Sequence, residues 1–250
     1  QVFMTTHSPV ALRELSGTQI FIVRPRQDSH VVLEVGSDDD IQGTIRKYPD
    51  AFLASSIIVC EGASEVGLIR GLDLFRSSRG FQSITAKGVA LIDSEGGHPN
   101  RAYRRANALR ALEYKVAVLR DDDKKPDQDV EAKFVASGGK VFRWGDDNAL
   151  EDELFTCLSD AGVKKLLDRA IELRGCEMID ANIRSAANGA MNLDAIKTEV
   201  DTGHVSVQTR KILATAARRS EWFKTVGRME DVARDIVGPD LENADPSFRK

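Results

Sequence analysis

Ile57-Ile58-Val59-Cys60-Glu61-Gly62-Ala63-Ser64-Glu65 decides how the rest of the chain is read. Four apolar residues in a row, three of them β-branched, predict a strand buried on both faces. The strand delivers Glu61 to its C-terminal end, and Gly62 gives the backbone freedom to turn. Ser64 is placed to cap a helix whose face includes Val66, Leu68 and Ile69. Glu61 at the strand tip and Glu65 in the first helical turn can then point into one crevice, where an open α/β sheet binds its ligands. Carboxylates held close repel each other, and bridging divalent cations remove that repulsion. On this segment alone, a solvated loop with an ordinary capping acid is the plain alternative.

From Ile57 onward, strand and helix patterns alternate. Apolar runs at 88–92, 116–119 and 140–144 predict three more strands, with helices over 100–114, 129–136 and from 149. Short links between such elements imply a parallel sheet covered by helices, an α/β fold with right-handed connections. Glu61, Asp93 and Asp121 each stand just past a predicted strand, on the edge where side chains from separate strands converge. Asp121 and Asp123 are two apart and face the same way in extended backbone. Acids at three successive strand tips favour a metal-binding cluster over solvated loops.

Residues 161–174, 176–187, 192–200, 206–217 and 221–237 have helical spacing and predict a small all-helical domain. Gly238-Pro239 stops it, and the polar 239–250 stretch is expected to be a flexible tail. At the other end, 1–4 reads as a strand, and 19–24 with 30–35 as a hairpin around Pro25. A short helix interrupted at Pro49 is expected within 42–53.

Composition narrows the function classes. The 250 residues suffice for one large domain or two smaller ones. No apolar run approaches the length of a membrane span, and no signal peptide is recognisable, so a cytoplasmic location is the default expectation. Cys60, Cys157 and Cys176 form no CxxC pair, which argues against a disulfide framework or a cysteine zinc site. The formal net charge of -4 argues against a generally basic nucleic-acid coat while leaving room for a local basic patch. No GxxxxGK[ST] phosphate loop occurs, so the chain has no ATP site of that kind.

The motifs carry a family resemblance. A strand ending in Thr5-Thr6-His7-Ser8-Pro9 resembles the histidine switch closing the ATPase core of ABC-type, SMC-like proteins. Glu61-Gly62-x-x-Glu65, followed two strands later by Asp121-Asp122-Asp123, resembles the Toprim domain of topoisomerases, primases and several nucleases. Together with the helical region, these features resemble OLD-family nucleases, in which an ABC-type ATPase precedes a Toprim nuclease. The resemblance implies an ATPase tail with hairpin and linker at 1–53, a Rossmann-like Toprim domain at 54–155 and a helical domain at 156–238. It implies magnesium or manganese, two ions, held by Glu61, Glu65, Asp93, Ser94, Asp121, Asp123 and Glu151 or Glu153. Glu61, Glu65, Asp121 and Asp123 would be catalytic, and Lys224 in Trp222-Phe223-Lys224 matches the lysine that OLD nucleases supply. As partners it implies DNA, an N-terminal ATPase domain of the same chain and, because the ATPase relatives dimerise, a homodimer.

Two basic clusters are candidates for DNA phosphate contacts. Arg101, Arg104, Arg105 and Arg110 lie on one predicted helix; Arg210, Lys211, Arg218 and Arg219 lie on the helical region. The plain alternative is exposed faces of amphipathic helices. No aromatic-rich strand offers a base-stacking platform, so little sequence specificity is expected. Another Toprim enzyme, topoisomerase or primase-like, would need a transesterifying tyrosine or polymerising machinery, and only Tyr48, Tyr103 and Tyr114 exist. A non-catalytic magnesium-binding regulatory α/β domain would share acids at strand tips but lacks the Glu-Gly-x-x-Glu turn.

Overall fold

The structure is a computed structural model and describes residues 2–249. In chain order its elements are α1 (Pro9–Glu14), β1 (Phe21–Pro25), β2 (His30–Glu34), α2 (Asp39–Lys47), β3 (Ser56–Cys60), α3 (Ala63–Ser78), β4 (Val89–Asp93), α4 (Asn100–Ala111), β5 (Lys115–Arg120), α5 (Gln128–Ala136) and β6 (Lys140–Arg143). Helices follow: α6 (Leu150–Cys157), α7 (Asp160–Arg174), α8 (Cys176–Ala186), α9 (Leu193–Asp201), α10 (Val207–Arg219), α11 (Val226–Val232) and the short α12 (Gly238–Asp240). Short 3₁₀ turns at Gly17–Gln19, Pro49–Leu53 and Pro246–Arg249 and a π-helical stretch at Ala233–Val237 complete the trace. No helix is long and apolar enough to cross a membrane among the described residues.

The chain forms two compact units. The first comprises Gln1–Gly62, Ile84–Arg120 and Lys125–Phe142; the second comprises Ala63–Ser83, Asp121–Lys124 and Arg143–Lys250.

In the first unit, β3 pairs in parallel with β4 and with β5, and β6 completes the order β4-β3-β5-β6. The register sets Cys60 opposite Asp93 on one side and opposite Leu119 on the other. The β-branched run explains this: Ile57, Val59 and Cys60 are at most 1% exposed. Each such side chain contributes about 1.5–3 kcal/mol on burial. Ala102, Tyr103, Ala106 and Leu109 of α4 join the same core, with Ile41 and Ile45 of α2 and Phe134 of α5. β1 and β2 form the expected antiparallel hairpin.

The N-terminal strand expected at 1–4 is not found: residues 2–4 are exposed and outside any element, and Gln1 lies outside the described residues. The Thr-His-Ser-Pro run starts a helix instead. Ser8 is the N-cap of α1, its Oγ accepting from Ala11 N at 3.3 Å, with Pro9 in the first turn where its missing N–H costs nothing.

In the second unit, α3 lies against α11 and the Ala233–Val237 stretch. Two glycines one turn apart allow it. A Cβ on Gly67 would meet Val226 O at 2.6 Å, and one on Gly71 would meet Glu230 O at 2.2 Å. The helical core is centred on Phe155, Trp222 and Phe223, which pack edge to face with ring centroids 6.1 and 6.3 Å apart. The polar C-terminal stretch makes fixed contacts. Asp240 accepts from Ser159 N (2.8 Å) and Ser159 Oγ (2.6 Å), and Phe248 stacks on Trp144 at 6.2 Å. Lys250 lies outside the described residues.

Gly→Ala in a helix interior ordinarily stabilises by about 0.5–1 kcal/mol. Gly43, in α2 with open space around it, should follow that rule. Gly71→Ala should instead destabilise by about 1–3 kcal/mol through overpacking. Denaturant melts of the two variants should therefore move in opposite directions.

Candidate functional site

The β3 exit is fixed by backbone. Glu61 N donates to Leu119 O (2.9 Å), Ser94 N to Cys60 O (2.9 Å) and Gly96 N to Glu61 O (2.8 Å). These bonds carry the parallel ladder one residue past the strands, so Glu61 and the Asp93-Ser94 pair stand on the same edge of the sheet. Asp121 is the residue after Arg120, where β5 ends. α3 begins at Ala63, ahead of the expected cap, and Ser64 lies buried in its first turn. Glu65 follows, only 3% exposed.

The loop after β4 is tightly held. Asp93 Oδ1 accepts from Glu95 N (2.6 Å), and the Asp93 carbonyl accepts from Arg105 Nη1 (2.8 Å). Glu95 takes a positive φ of 67° and is salt-bridged to both Lys47 and Arg101. Those partners hold its carboxyl below the ordinary range, the Lys47 hydrogen bond foremost. Ser94 Oγ is buried and has no hydrogen-bond partner among the described residues.

In the second unit, the three consecutive aspartates divide their tasks. Asp121 Oδ1 accepts from Leu150 N (2.9 Å) at the start of α6. Asp122 is buried: its N–H donates to Asn148 O (2.8 Å), and its Oδ2 accepts from Asp147 N (3.1 Å) and lies 3.2 Å from Arg143 Nη1. Asp123 Oδ2 lies 3.8 Å from Arg218 Nη1. Asp122 thus ties residues 121–123 to the 145–150 loop, and no pattern in the sequence distinguishes it from its neighbours.

The first turn of α6 supplies three more acids. Glu153 Oε1 accepts from Gly145 N (2.6 Å) and Asn148 Nδ2 (2.9 Å), a structural engagement. Asp152, which the motif does not single out, accepts from Ala149 N (3.0 Å) and from Arg218 Nη1 (3.1 Å). Glu151 is 6% exposed. Burial pushes its carboxyl above the ordinary value, partly opposed by a backbone hydrogen bond and, after it, by the positive charges of Lys224 and Arg218. Lys224 follows the buried Trp222-Phe223 pair, is itself exposed, and sits 3.6 Å from Glu221 Oε1.

The basic candidates separate by burial. Arg105 is buried under the β4 tip, and Arg210 spends its guanidinium on the Phe155 and Leu158 carbonyls and Asp160. Arg110 donates to the Tyr114 and Ser137 carbonyls. Arg101 pairs with Glu95, and Arg104 lies 3.6 Å from Asp40. Arg104, Lys211 and Arg219 are exposed. Tyr103 and Tyr114 are fully buried, and burial raises both phenols.

Hard oxygen donors suit magnesium or manganese, and the partnerless Ser94 hydroxyl adds a neutral one. The donor chemistry therefore fits. The expected ready-gathered cluster is not found: among the described residues no three Asp, Glu, His or Cys side chains are arranged to hold a metal ion. Converging carboxylates repel, and Asp121, Asp122 and Glu153 instead take backbone N–H donors.

Glu151→Gln tests whether the α6 acid is held at a cost. A carboxyl raised by burial destabilises the fold once ionised, above its raised value, and carries no penalty where folded and unfolded chains are both protonated. The variant should melt higher than the parent near pH 8. That advantage should fade as pH falls through the raised value toward the ordinary carboxylate range; thermal melts across pH check it.

No protein-family model matches the chain, and no curated protein matches it. Among solved structures, the C-terminal region of the Xanthomonas campestris pv. campestris OLD protein aligns with it in several forms. The form phased with mercury is 17% identical, covers 76% of this chain and 89% of that one, and has a TM-score of 0.41. The forms phased with platinum and iodine are 14% and 15% identical, cover 78% and 76% of this chain and 99% of theirs, and have TM-scores of 0.34 and 0.31. At these scores the likeness carries no argument about fold or chemistry.

Proposed function

We propose that the chain is a metal-dependent DNA nuclease that hydrolyses phosphodiester bonds, the Toprim-bearing C-terminal part of an OLD-type ATPase–nuclease acting in the cytoplasm. The observation that carries this reading is the sheet edge. The ladder past β3 sets Glu61 beside Asp93-Ser94, and Asp121 directly follows β5. Glu61, Asp121 and Asp123 would hold one divalent cation, and Glu65, Asp93, Ser94 and Glu151 or Glu153 the other. Two magnesium or manganese ions, when bound, supply positive charge to the phosphoryl oxygens and activate the attacking water. Lys224 would stabilise the charge that develops on the phosphate. Arg104, Lys211 and Arg219, exposed and on helices, would track the DNA backbone without reading sequence.

The burial of Tyr103 and Tyr114 weighs against either as a topoisomerase's tyrosine, which must reach a phosphate, and leaves only the half-buried Tyr48 for that role. A regulatory magnesium-binding domain has in its favour the engagement of Asp121 and Asp122 with backbone N–H groups.

Incubating linear and supercoiled plasmid with magnesium or manganese separates the readings. Asp121→Asn keeps an oxygen for Leu150 N but loses the charge. It should lower cleavage by about 100-fold or more, since even outer-sphere partners of a metal site cost 10–100-fold. Cleavage by the parent chain that Asp121→Asn leaves unchanged would overturn the assignment of Asp121, and no cleavage with any divalent ion would favour the regulatory reading.

A further inference from the structure

We propose that Arg218 is a resident counter-charge for Asp123 and Asp152, which yields Asp123 to a divalent cation and is thereby freed to hold a DNA phosphate. The inference rests on the nuclease reading and assigns a mobile role within it.

Arg218 lies in the last turn of α10, which packs along α6. Both of its carboxylate contacts fall on one nitrogen, Nη1: 3.1 Å to Asp152 and 3.8 Å to Asp123. Neither is the two-pronged pairing that makes an arginine–carboxylate bridge strong. The side chain is 39% exposed, so water screens both contacts and the guanidinium is held weakly. The two acids are also unequal. Asp152 Oδ2 is anchored by Ala149 N at 3.0 Å, whereas Asp123 meets Arg218 beyond hydrogen-bond distance. Asp123 is the contact that gives way.

The neighbouring pair shows the contrast. Arg143 and Asp122 meet at 3.2 Å on an aspartate that is 1% exposed and that also accepts a backbone N–H. That pair is built into the loop. Arg218 instead sits 3.8 Å from Asp123, where its positive charge competes with that of a cation, and its planar fork matches a phosphate. The positive charge of Arg218 is also felt by the buried Glu151, so the same guanidinium acts on a third acid beside Asp123 and Asp152. Cation and DNA binding must then reinforce each other, because each takes one side of the same exchange.

The test sets two affinities against each other. Manganese binding is titrated calorimetrically, and binding of a fluorescent duplex is followed by anisotropy in calcium over a range of salt. Arg218→Gln should bind manganese about 2–5-fold more tightly, because a weak competing ion pair is removed. The same variant should bind DNA less tightly, with a salt slope smaller by about one. Arg218→Lys, which keeps the charge without the fork, should bind manganese like the parent while losing DNA affinity. A purely structural arginine would weaken both affinities together. If the parent binds manganese and Arg218→Gln binds it equally or more weakly, the exchange is wrong and the nuclease reading stands. If the parent binds no manganese, both fall.

Discussion

Everything proposed for the sheet edge depends on three backbone hydrogen bonds beyond the ends of regular strands: Glu61 N to Leu119 O, Ser94 N to Cys60 O and Gly96 N to Glu61 O. A parallel ladder normally leaves the groups past its last rung to water. Here the ladder continues, and the residues that leave the sheet do so with fixed backbone. The side chains at that edge are thereby delivered by the most rigid part of the first unit, the strands whose Ile57, Val59, Ile92 and Val118 are almost fully buried.

A second constraint is charge. Glu65 and Glu151 are nearly buried carboxylates in a chain whose net charge is already negative. Burial of an ionised group is costly unless opposite charge or hydrogen bonds offset it. Lys224 and Arg218 supply part of that offset at Glu151. Holding a carboxyl against its own preference is a feature more often of functional positions than of scaffolding.

The alternation of strand and helix was legible because an apolar β-branched run has few other uses. β3, β5 and the hairpin lie within a residue or two of where the pattern sets them. The extended reading of 1–4 failed because residues 2–4 find no strand to pair with and lie exposed, and a lone apolar run has no ladder to hold it. The acids could be named but their engagements could not. Whether Asp121 faces a ligand or caps Leu150 depends on a loop nearly thirty residues away in sequence. The pairing of α3 with α11 also escaped, although Gly67 and Gly71, four apart on one helical face, were a signal for close helix approach. Arg218 could be named as a candidate phosphate contact, but not its carboxylate partners, which come from other segments.

The glycine notch has a consequence for how the protein is made. α3 ends at Ser78, whereas the helix that fits its notch begins only at Val226. With roughly 150 residues still to be translated at about 5–20 per second, α3 waits on the order of ten seconds or more for its partner. During that interval its contact surface is open to solvent and to chaperones.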